Sequence, residues 1–184
     1  EIVGGDTNSS RKLVIDVAVL GFIRPDRLTL RSGAKRGDII CVTGALGGSY
    51  KSKRHLTFVP RLNEARSLVK NFKITSMIDI SDGLSTDLNH IAGESGVGAC
   101  IYEELIPVSK DAKGVSAALN EGEDFELLFT MPLGEARRLA RRNLYANAVK
   151  ITQIGEILDK KIGVKIIGRD GRARDLLPKG FSHF

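Results

Sequence analysis

Acidic side chains gather at three places in this chain where the backbone is expected to turn. Asp6 follows two glycines in GGDT, Asp79 and Asp82 bracket a serine in DISDGL, and the stretch NEGEDFELLF is rich in acids. Glycines let the backbone approach a ligand closely and turn N–H groups toward phosphate oxygens. Carboxylates on a rigid turn are the ligands Mg²⁺ takes when it also binds substrate phosphates. GGDT is therefore a candidate for phosphate binding and DISDGL for metal binding.

Each segment also has a simpler interpretation. DISDGL stands where an apolar run stops and a helical pattern begins, so Ser81 or Asp82 would suit an N-cap. A helix N-terminus favours negative charge without any metal. The acids of NEGEDFELLF would by themselves form a charged turn; they are Glu121, Glu123, Asp124 and Glu126. The residues alone leave capping and metal binding open.

Strands and helices alternate around these segments, which indicates an α/β or α+β fold. β-Branched and apolar runs predict strands, and apolar residues at helical spacing predict helices. Helices are predicted at LNEARSLVKNF (62–72), after Asp82 as far as ESG, and at LGEARRLARRNL (133–144). The predicted strands are KLVIDVAVLGFI (12–23), GDIICVTGAL (37–46), SMIDIS (76–81), GACIYE (98–103), FELLFTM (125–131), VKITQIGEIL (149–158) and GVKIIG (163–168).

Composition narrows the classes of function. The chain has 184 residues, 42% of them hydrophobic, which is enough for a buried core. Lys and Arg number 28 against 22 Asp and Glu, an excess of six that suits anionic ligands. Without a basic stripe and with few aromatic residues, nucleic-acid binding is not expected. No apolar run is long enough for a membrane span and no signal segment opens the chain, so the cytoplasm is the expected location.

Two further features concern cysteines and the chain's beginning. Cys41 and Cys100 lie in apolar runs and are predicted to be reduced, buried and structural. The opening EIVGGDT begins almost on a strand with nothing before it to support the turn, which suggests that an N-terminal part is missing. RPDRLT (24–29) has the composition of a linker. We therefore expect a remnant of an N-terminal domain over 1–28 and a C-terminal α/β domain over 29–184.

Taken together, the motifs resemble the thiamine-monophosphate kinase family, within the superfamily of aminoimidazole ribonucleotide synthetase. They occur in the family's order along nearly the whole chain, and the combination of DISDGL with GEDFELLF is specific to this branch. The resemblance implies the C-terminal domain of that fold, a mixed sheet flanked by helices. The matching stretches are VGGDT (3–7), LRSGAKRGDIICVTGALG (30–47), MIDISDGLSTDLNHIAGESGVGA (77–99), NEGEDFELLFTMP (120–132) and GFSHF (180–184).

The resemblance implies an activity and roles for individual residues. The reaction would be Mg²⁺-dependent, in-line transfer of a phosphoryl group from ATP to thiamine monophosphate, with no covalent nucleophile on the protein. Metal ligands would be Asp6, Asp79 and Asp82, which favours metal binding over capping in DISDGL. ATP would be bound by Gly5, Asp6, Arg31 and Ser81. Thiamine monophosphate would be bound by Glu123 and by the ring of Phe181.

Departures from the family pattern set further expectations. The family's N-terminal domain carries more metal-binding acids and the homodimer interface, so this chain by itself is expected to be inactive. The basic loop with Lys51, Lys53, Arg54 and His55 is unusual, and is interpreted as a solvated loop or, alternatively, as a phosphate-facing lid. His90 is predicted to be structural. Two other functions stay open, namely a superfamily enzyme with a different acceptor and a non-catalytic nucleotide-binding domain.

Overall fold

The computed structural model of the chain describes residues 9, 11–12, 14–15, 17–141 and 149–180. Its centre is a seven-stranded mixed sheet with the strand order β2-β4-β1-β5-β3-β6-β7. Neighbouring strands are antiparallel except β3 and β6, which are parallel. The strands are β1 (Asp38–Thr43), β2 (Ser76–Asp79), β3 (Gly98–Tyr102), β4 (Leu127–Pro132), β5 (Ile151–Leu158), β6 (Val164–Ile167) and β7 (Ala173–Asp175).

Six α-helices and three short 3-10 helices connect the strands within the described residues. The 3-10 helices are Pro25–Arg27, Glu103–Leu105 and Lys160–Ile162. None of the helices in the described ranges is both long and apolar enough to cross a membrane. The α-helices are α1 (Ser49–Ser52), α2 (Arg54–Thr57), α3 (Leu62–Asn71), α4 (Leu84–Ser95), α5 (Val115–Asn120) and α6 (Leu133–Arg141).

The sheet has a hydrophobic core on each face because alternate side chains of a strand point in opposite directions. On one face the stripe of α4, formed by Leu84, Leu88 and Ile91, is fully buried with Ile40 and Leu128. The opposite face of the same strands carries the second core, which α3 and α6 cover. Its buried members are Cys41, Leu68, Phe72, Leu127, Phe129, Met131, Ala136 and Leu139. The position of α4 is thus fixed by its apolar stripe, and its N-terminus lies directly after β2.

The structure confirms the α/β class and most of the predicted elements. The helix predicted after Asp82 is α4, which ends at Gly96 in the left-handed conformation that glycine adopts readily. Both cysteines are buried and free. The predicted linker contains a 3-10 helix, and the short elements α1, α2, α5 and β7 were not predicted.

The strand predicted over 12–23 is wrong for the residues that the structure describes there. Residues 17–23 form no strand, and their side chains are exposed, as with Leu20 and Phe22. β-Branched composition favours a strand only where a neighbouring strand and a covered face accept it. Within the described part of the chain this segment has neither, so its sequence preference is not realised.

Candidate active site

The candidate site begins at the junction between β2 and α4. Asp79 is the last residue of β2 and is exposed, while Ser81 and Asp82 are half-buried in the turn that follows. Gly83 has a φ of 109°, a conformation that a residue with a side chain rarely adopts, and α4 begins directly after it. The sharp turn brings the acidic residues to the start of the helix.

The N-cap predicted from Ser81 or Asp82 is not formed. Gly83 occupies the N-cap position, and no side chain caps the helix from there. Asp87 in the first turn of α4 reaches back instead and accepts hydrogen bonds from the N–H groups of Asp82 at 3.2 Å and Gly83 at 3.1 Å. One buried carboxylate therefore does the capping, and the carboxylate of Asp82 is left for another role.

Negative charge is concentrated at this junction. The pKa of Asp87 is raised to about 7, mainly by burial; the N–H groups of Asp82 and Gly83 oppose the rise, and the charges of Asp82 and Asp79 add to it. Ligand atoms of Asp82, Asp87 and His90 lie within 4.8 Å of one another. His90, predicted to be structural, is an exposed side chain beside the two acids.

The junction fits a hard cation such as Mg²⁺. Among the described residues, the carboxylates of Asp79 and Asp82 accept no hydrogen bond, so their oxygens are available. Carboxylate oxygens are the ligands that Mg²⁺ prefers. Asp79 and Asp82 would hold the ion. Of these two, only Asp82 belongs to the group whose ligand atoms lie within 4.8 Å of one another; the other members of that group are Asp87 and His90.

An acidic loop, residues 121–126, lies directly on this junction. Its backbone pairs with the turn, since the N–H of Glu123 donates to the carbonyl of Ser81 at 2.7 Å and that of Phe125 donates to Ile80 at 2.9 Å. A Cβ on Gly122 would collide with the Ser81 carbonyl oxygen, so only glycine permits this approach. Two motifs about 40 residues apart in the sequence thus form one surface.

The acidic loop is strained at two positions. Glu123 has a φ of 60° and Phe125 a φ of 51°, both in the left-handed region. Such residues cost about 1 to 3 kcal/mol each and persist where surrounding contacts fix them, often at functional sites. The Phe125 ring stacks on Phe58 with centroids 4.1 Å apart, which is one of the fixing contacts.

A cleft of about 510 Å³ opens between the junction and the acidic loop. Its lining includes the acidic residues Asp82, Glu121 and Glu123, the basic residue Lys179 and the aromatic residues Tyr50 and Phe125. Carboxylates and aromatic faces both attract cations. The cleft therefore suits a ligand that carries a positive charge. Its lining is Tyr50, Ser81, Asp82, Asn120, Glu121, Gly122, Glu123, Phe125, Lys179 and Gly180.

The C-terminal segment approaches the cleft over the start of α4. The N–H of Gly180 donates to Thr86 Oγ1 at 3.0 Å, and the N–H of Lys179 donates to Ser85 Oγ at 3.3 Å. A Cβ on Gly180 would collide with the carbonyl oxygen of Asp82. The segment that precedes Phe181 is thus tied to the cleft.

The structure brings together some of the predicted site residues. Ser81, Asp82 and Glu123 line one cleft, and Asp79 stands at the same junction. Arg31 is exposed, and its carbonyl accepts a hydrogen bond from Ser95 Oγ at the far end of α4. That end is about 17 Å along the helix from the cleft. Gly5, Asp6 and Phe181 lie outside the described residues, so their roles stay predictions.

Two buried acid–arginine pairs were missed by sequence reasoning. Asp124 and Glu126 are almost fully buried, and Arg54 contacts Asp124 at 2.5 Å while Arg61 contacts Glu126 at 2.7 Å. The basic loop is thus not wholly solvated, because Arg54 pairs inward while its neighbour Lys53 is exposed; the alternative of a phosphate-facing lid stays a prediction. Pairs separated by 65 to 70 residues leave no local signal in one sequence.

Asp124 gives the stability a predictable pH dependence. Burial raises the pKa of this carboxyl to about 6, although Gly47 N–H and Arg54 lower it. Between about pH 4 and pH 6 the folded protein keeps a proton that the unfolded chain has lost, so this group makes the free energy of unfolding fall as pH rises.

We expect Asp124→Asn to remove this contribution. The melting temperature of the variant, relative to the wild type, should be higher at about pH 7 than at about pH 4. Thermal melts followed by circular dichroism at both pH values measure the difference. If the melting temperatures of variant and wild type differ by the same amount at both pH values, Asp124 does not titrate in this range.

The comparisons with known proteins show the family to which the chain belongs. Residues 35–167 match the family model described as AIR synthase related protein, C-terminal domain, and the chain belongs to this family. Among curated relatives, the thiamine-monophosphate kinases of Escherichia coli K12 and Bacillus subtilis 168 are 35% and 34% identical to it. Both alignments cover 100% of this chain, but only 63% and 64% of those proteins. The chain thus spans a little under two thirds of their length.

Solved structures show the same likeness. A structure titled "AaThiL complexed with AMPPCP and TMP" is 29% identical, with a TM-score of 0.68 over 85% of this chain and 54% of that one. The thiamine-monophosphate kinase of Stenotrophomonas maltophilia K279a is 27% identical, with a TM-score of 0.66 over 79% of this chain and 54% of that one. The hydrogenase maturation protein HypE of E. coli, at 22% identity and a TM-score of 0.69 over 85% of this chain and 53% of that one, shares the fold.

Proposed function

We propose that this chain forms the acceptor-binding part of a kinase that transfers the γ-phosphoryl group of ATP to thiamine monophosphate. The observation that carries the proposal is the meeting of Ser81 and Asp82 with Glu123 in one cleft. Residues proposed for metal and nucleotide thus face a residue proposed for the acceptor. The relatives named as thiamine-monophosphate kinases, and the complex with a nucleotide analogue and TMP, support it.

The lining of the cleft suits this acceptor. The thiazolium ring of thiamine carries a fixed positive charge, which carboxylates and aromatic faces attract. Glu123 lines the cleft together with the ring of Phe125. Lys179 supplies a cation for the acceptor's phosphate. Phe181, which follows the segment tied to α4, is proposed to stack on the acceptor ring.

The remaining roles concern charge and position. A phosphate monoester is largely ionised near neutral pH, so the acceptor needs no strong base, only relief from repulsion by the nucleotide. Mg²⁺, held by Asp79, Asp82 and Asp6, would supply that relief when bound. Ser81 would contact ATP with Gly5 and Asp6; the ATP contact of Arg31, whose backbone lies at the far end of α4, stays a prediction from the resemblance. We propose that the protein containing this chain works as a homodimer in the cytoplasm.

Calorimetric titration of the 184-residue chain tests the acceptor. The chain is saturated with Mg²⁺ and the analogue AMPPCP and then titrated with thiamine monophosphate, thiamine or ribose 5-phosphate. Thiamine lacks the phosphate and ribose 5-phosphate lacks the charged ring. We expect thiamine monophosphate to bind at least about tenfold more tightly than either, because only it matches both charges of the cleft. Equal or tighter binding of ribose 5-phosphate would identify a different acceptor.

A further inference from the structure

A basic strap, defined here as residues 48–61, runs along the acidic loop and contacts it repeatedly. The N–H of Gly48 donates to Glu121 Oε2 at 2.7 Å, and Ser49 Oγ donates to the carbonyl of Glu123 at 2.7 Å. Further along, Arg54 and Arg61 pair with Asp124 and Glu126. The strap therefore contacts each of the loop's four acidic residues.

These contacts leave the acidic side chains of the loop in unequal states. The carboxylates of Glu121, Asp124 and Glu126 each accept hydrogen bonds from the strap. The carboxylate of Glu123 accepts none within the described ranges, and its residue lines the cleft. The strap holds Glu123 by its backbone alone, which leaves the carboxylate available to a ligand.

Arg54 is the strap residue best placed to control Glu123. Its guanidinium bridges the carbonyl of Ala45 at 3.0 Å and the carboxylate of Asp124 at 2.5 Å. Asp124 stands between the two residues of left-handed φ, Glu123 and Phe125. A planar guanidinium that donates to two acceptors at once restricts their relative orientation more than a single ammonium group would.

One detail argues against a purely stabilising role for this pair. The Nε atom of Arg54 is buried and has no hydrogen-bond partner among the described residues. A buried N–H without a partner destabilises the fold, because its hydrogen bond to water is lost and not replaced. An arrangement that served stability alone would gain from pairing this group or from an apolar side chain of similar shape.

We infer that Arg54 is a positioning residue that keeps Glu123 and Phe125 in their left-handed conformations, so that the Glu123 carboxylate faces the charged ring of the acceptor. The inference rests on the proposed function for the identity of the acceptor. Arg54 itself need not touch the acceptor, since it does not line the cleft. Its loss should act on the acceptor and spare the nucleotide.

The test compares three variants of the 184-residue chain, Arg54→Met, Arg54→Lys and the control Lys51→Met. Lys51 is exposed on the same strap and lies outside the cleft lining. Calorimetry gives the affinities for AMPPCP with Mg²⁺ and for thiamine monophosphate, and hydrogen exchange gives the protection of the Glu123 and Phe125 amides. Melting curves report on stability separately.

We expect Arg54→Met to weaken the binding of thiamine monophosphate about tenfold and to change the affinity for AMPPCP less than about twofold. Hydrogen exchange at the Glu123 and Phe125 amides should become faster. Arg54→Lys should lie between Arg54→Met and the wild type, and Lys51→Met should change nothing. Equal losses for both ligands, or unchanged acceptor affinity, would overturn the inference. If the wild type binds no thiamine monophosphate, the proposed function fails. The positioning role of Arg54 is then tested by hydrogen exchange alone, and unchanged exchange at the two amides in Arg54→Met would overturn it.

Discussion

Asp79→Asn is expected to lower phosphoryl transfer at least about a hundredfold in the protein that contains this chain, the scale of loss when a group that stabilises transition-state charge is removed. The substitution removes one negative charge and keeps nearly the same shape. Because Asp79 is exposed at the end of β2 and accepts no hydrogen bond in the described part of the chain, the fold should be unaffected. Turnover at saturating Mg²⁺ and a melting curve measure both effects.

The matched control is Glu94→Gln, an equally conservative change of an exposed acid near the far end of α4. It removes the same charge about 15 Å along the helix from the junction and should leave turnover within about twofold. If both variants lose activity equally, the effect is one of overall charge. Wild-type turnover in Asp79→Asn would remove this residue from the metal site.

Glu126→Ala is expected to cost about 3 kcal/mol of stability, which for a chain of this size lowers the melting temperature by about 6 to 12 °C. Glu126 accepts two hydrogen bonds from Arg61 and one from Thr43 Oγ1, and it is 2% exposed. Removing it leaves a largely buried guanidinium and a buried hydroxyl without their acceptor. Chemical denaturation measures the loss.

Glu135→Ala provides the comparison, because Glu135 pairs with Arg138 at the protein surface. Exposed pairs contribute about 1 kcal/mol or less, so this variant should melt close to the wild type. The double variant Arg61→Met, Glu126→Leu should recover part of the loss, since it leaves no buried charge unpaired. If Glu126→Ala and Glu135→Ala lose similar amounts of stability, the buried Arg61–Glu126 pair contributes no more than a surface pair.

The sequence predicted those parts of the site that depend on neighbouring residues. MIDISDGL contains an apolar run, a polar turn with glycine and the start of an apolar helical stripe, and the structure confirms strand, turn and helix there. The side chain that caps α4, Asp87, was not among the capping candidates considered, which were Ser81 and Asp82. Its spacing of three residues from His90 on one helix was the available signal that these side chains lie together.

Side-chain partners that are far apart in the chain could not be predicted from one sequence. Arg54 stood among several basic residues of one loop, and nothing local showed that it would turn inward while Lys53 stayed exposed. The choice depends on where Asp124 lies after folding, 70 residues away in the chain. The left-handed conformations of Glu123 and Phe125 were hidden for the same reason, since residues of their types rarely adopt positive φ without such contacts.

The central claim is that the cleft between DISDGL and the acidic loop presents thiamine monophosphate to ATP. Phosphorus NMR of the protein that contains this chain, incubated with Mg²⁺, ATP and thiamine monophosphate, tests it most directly. We predict that the monophosphate resonance is replaced by the two resonances of a diphosphate ester as ADP accumulates in equal amount, and that Asp79→Asn stops both changes. ADP formed together with inorganic phosphate, while the thiamine monophosphate resonance stays unchanged, would contradict the claim.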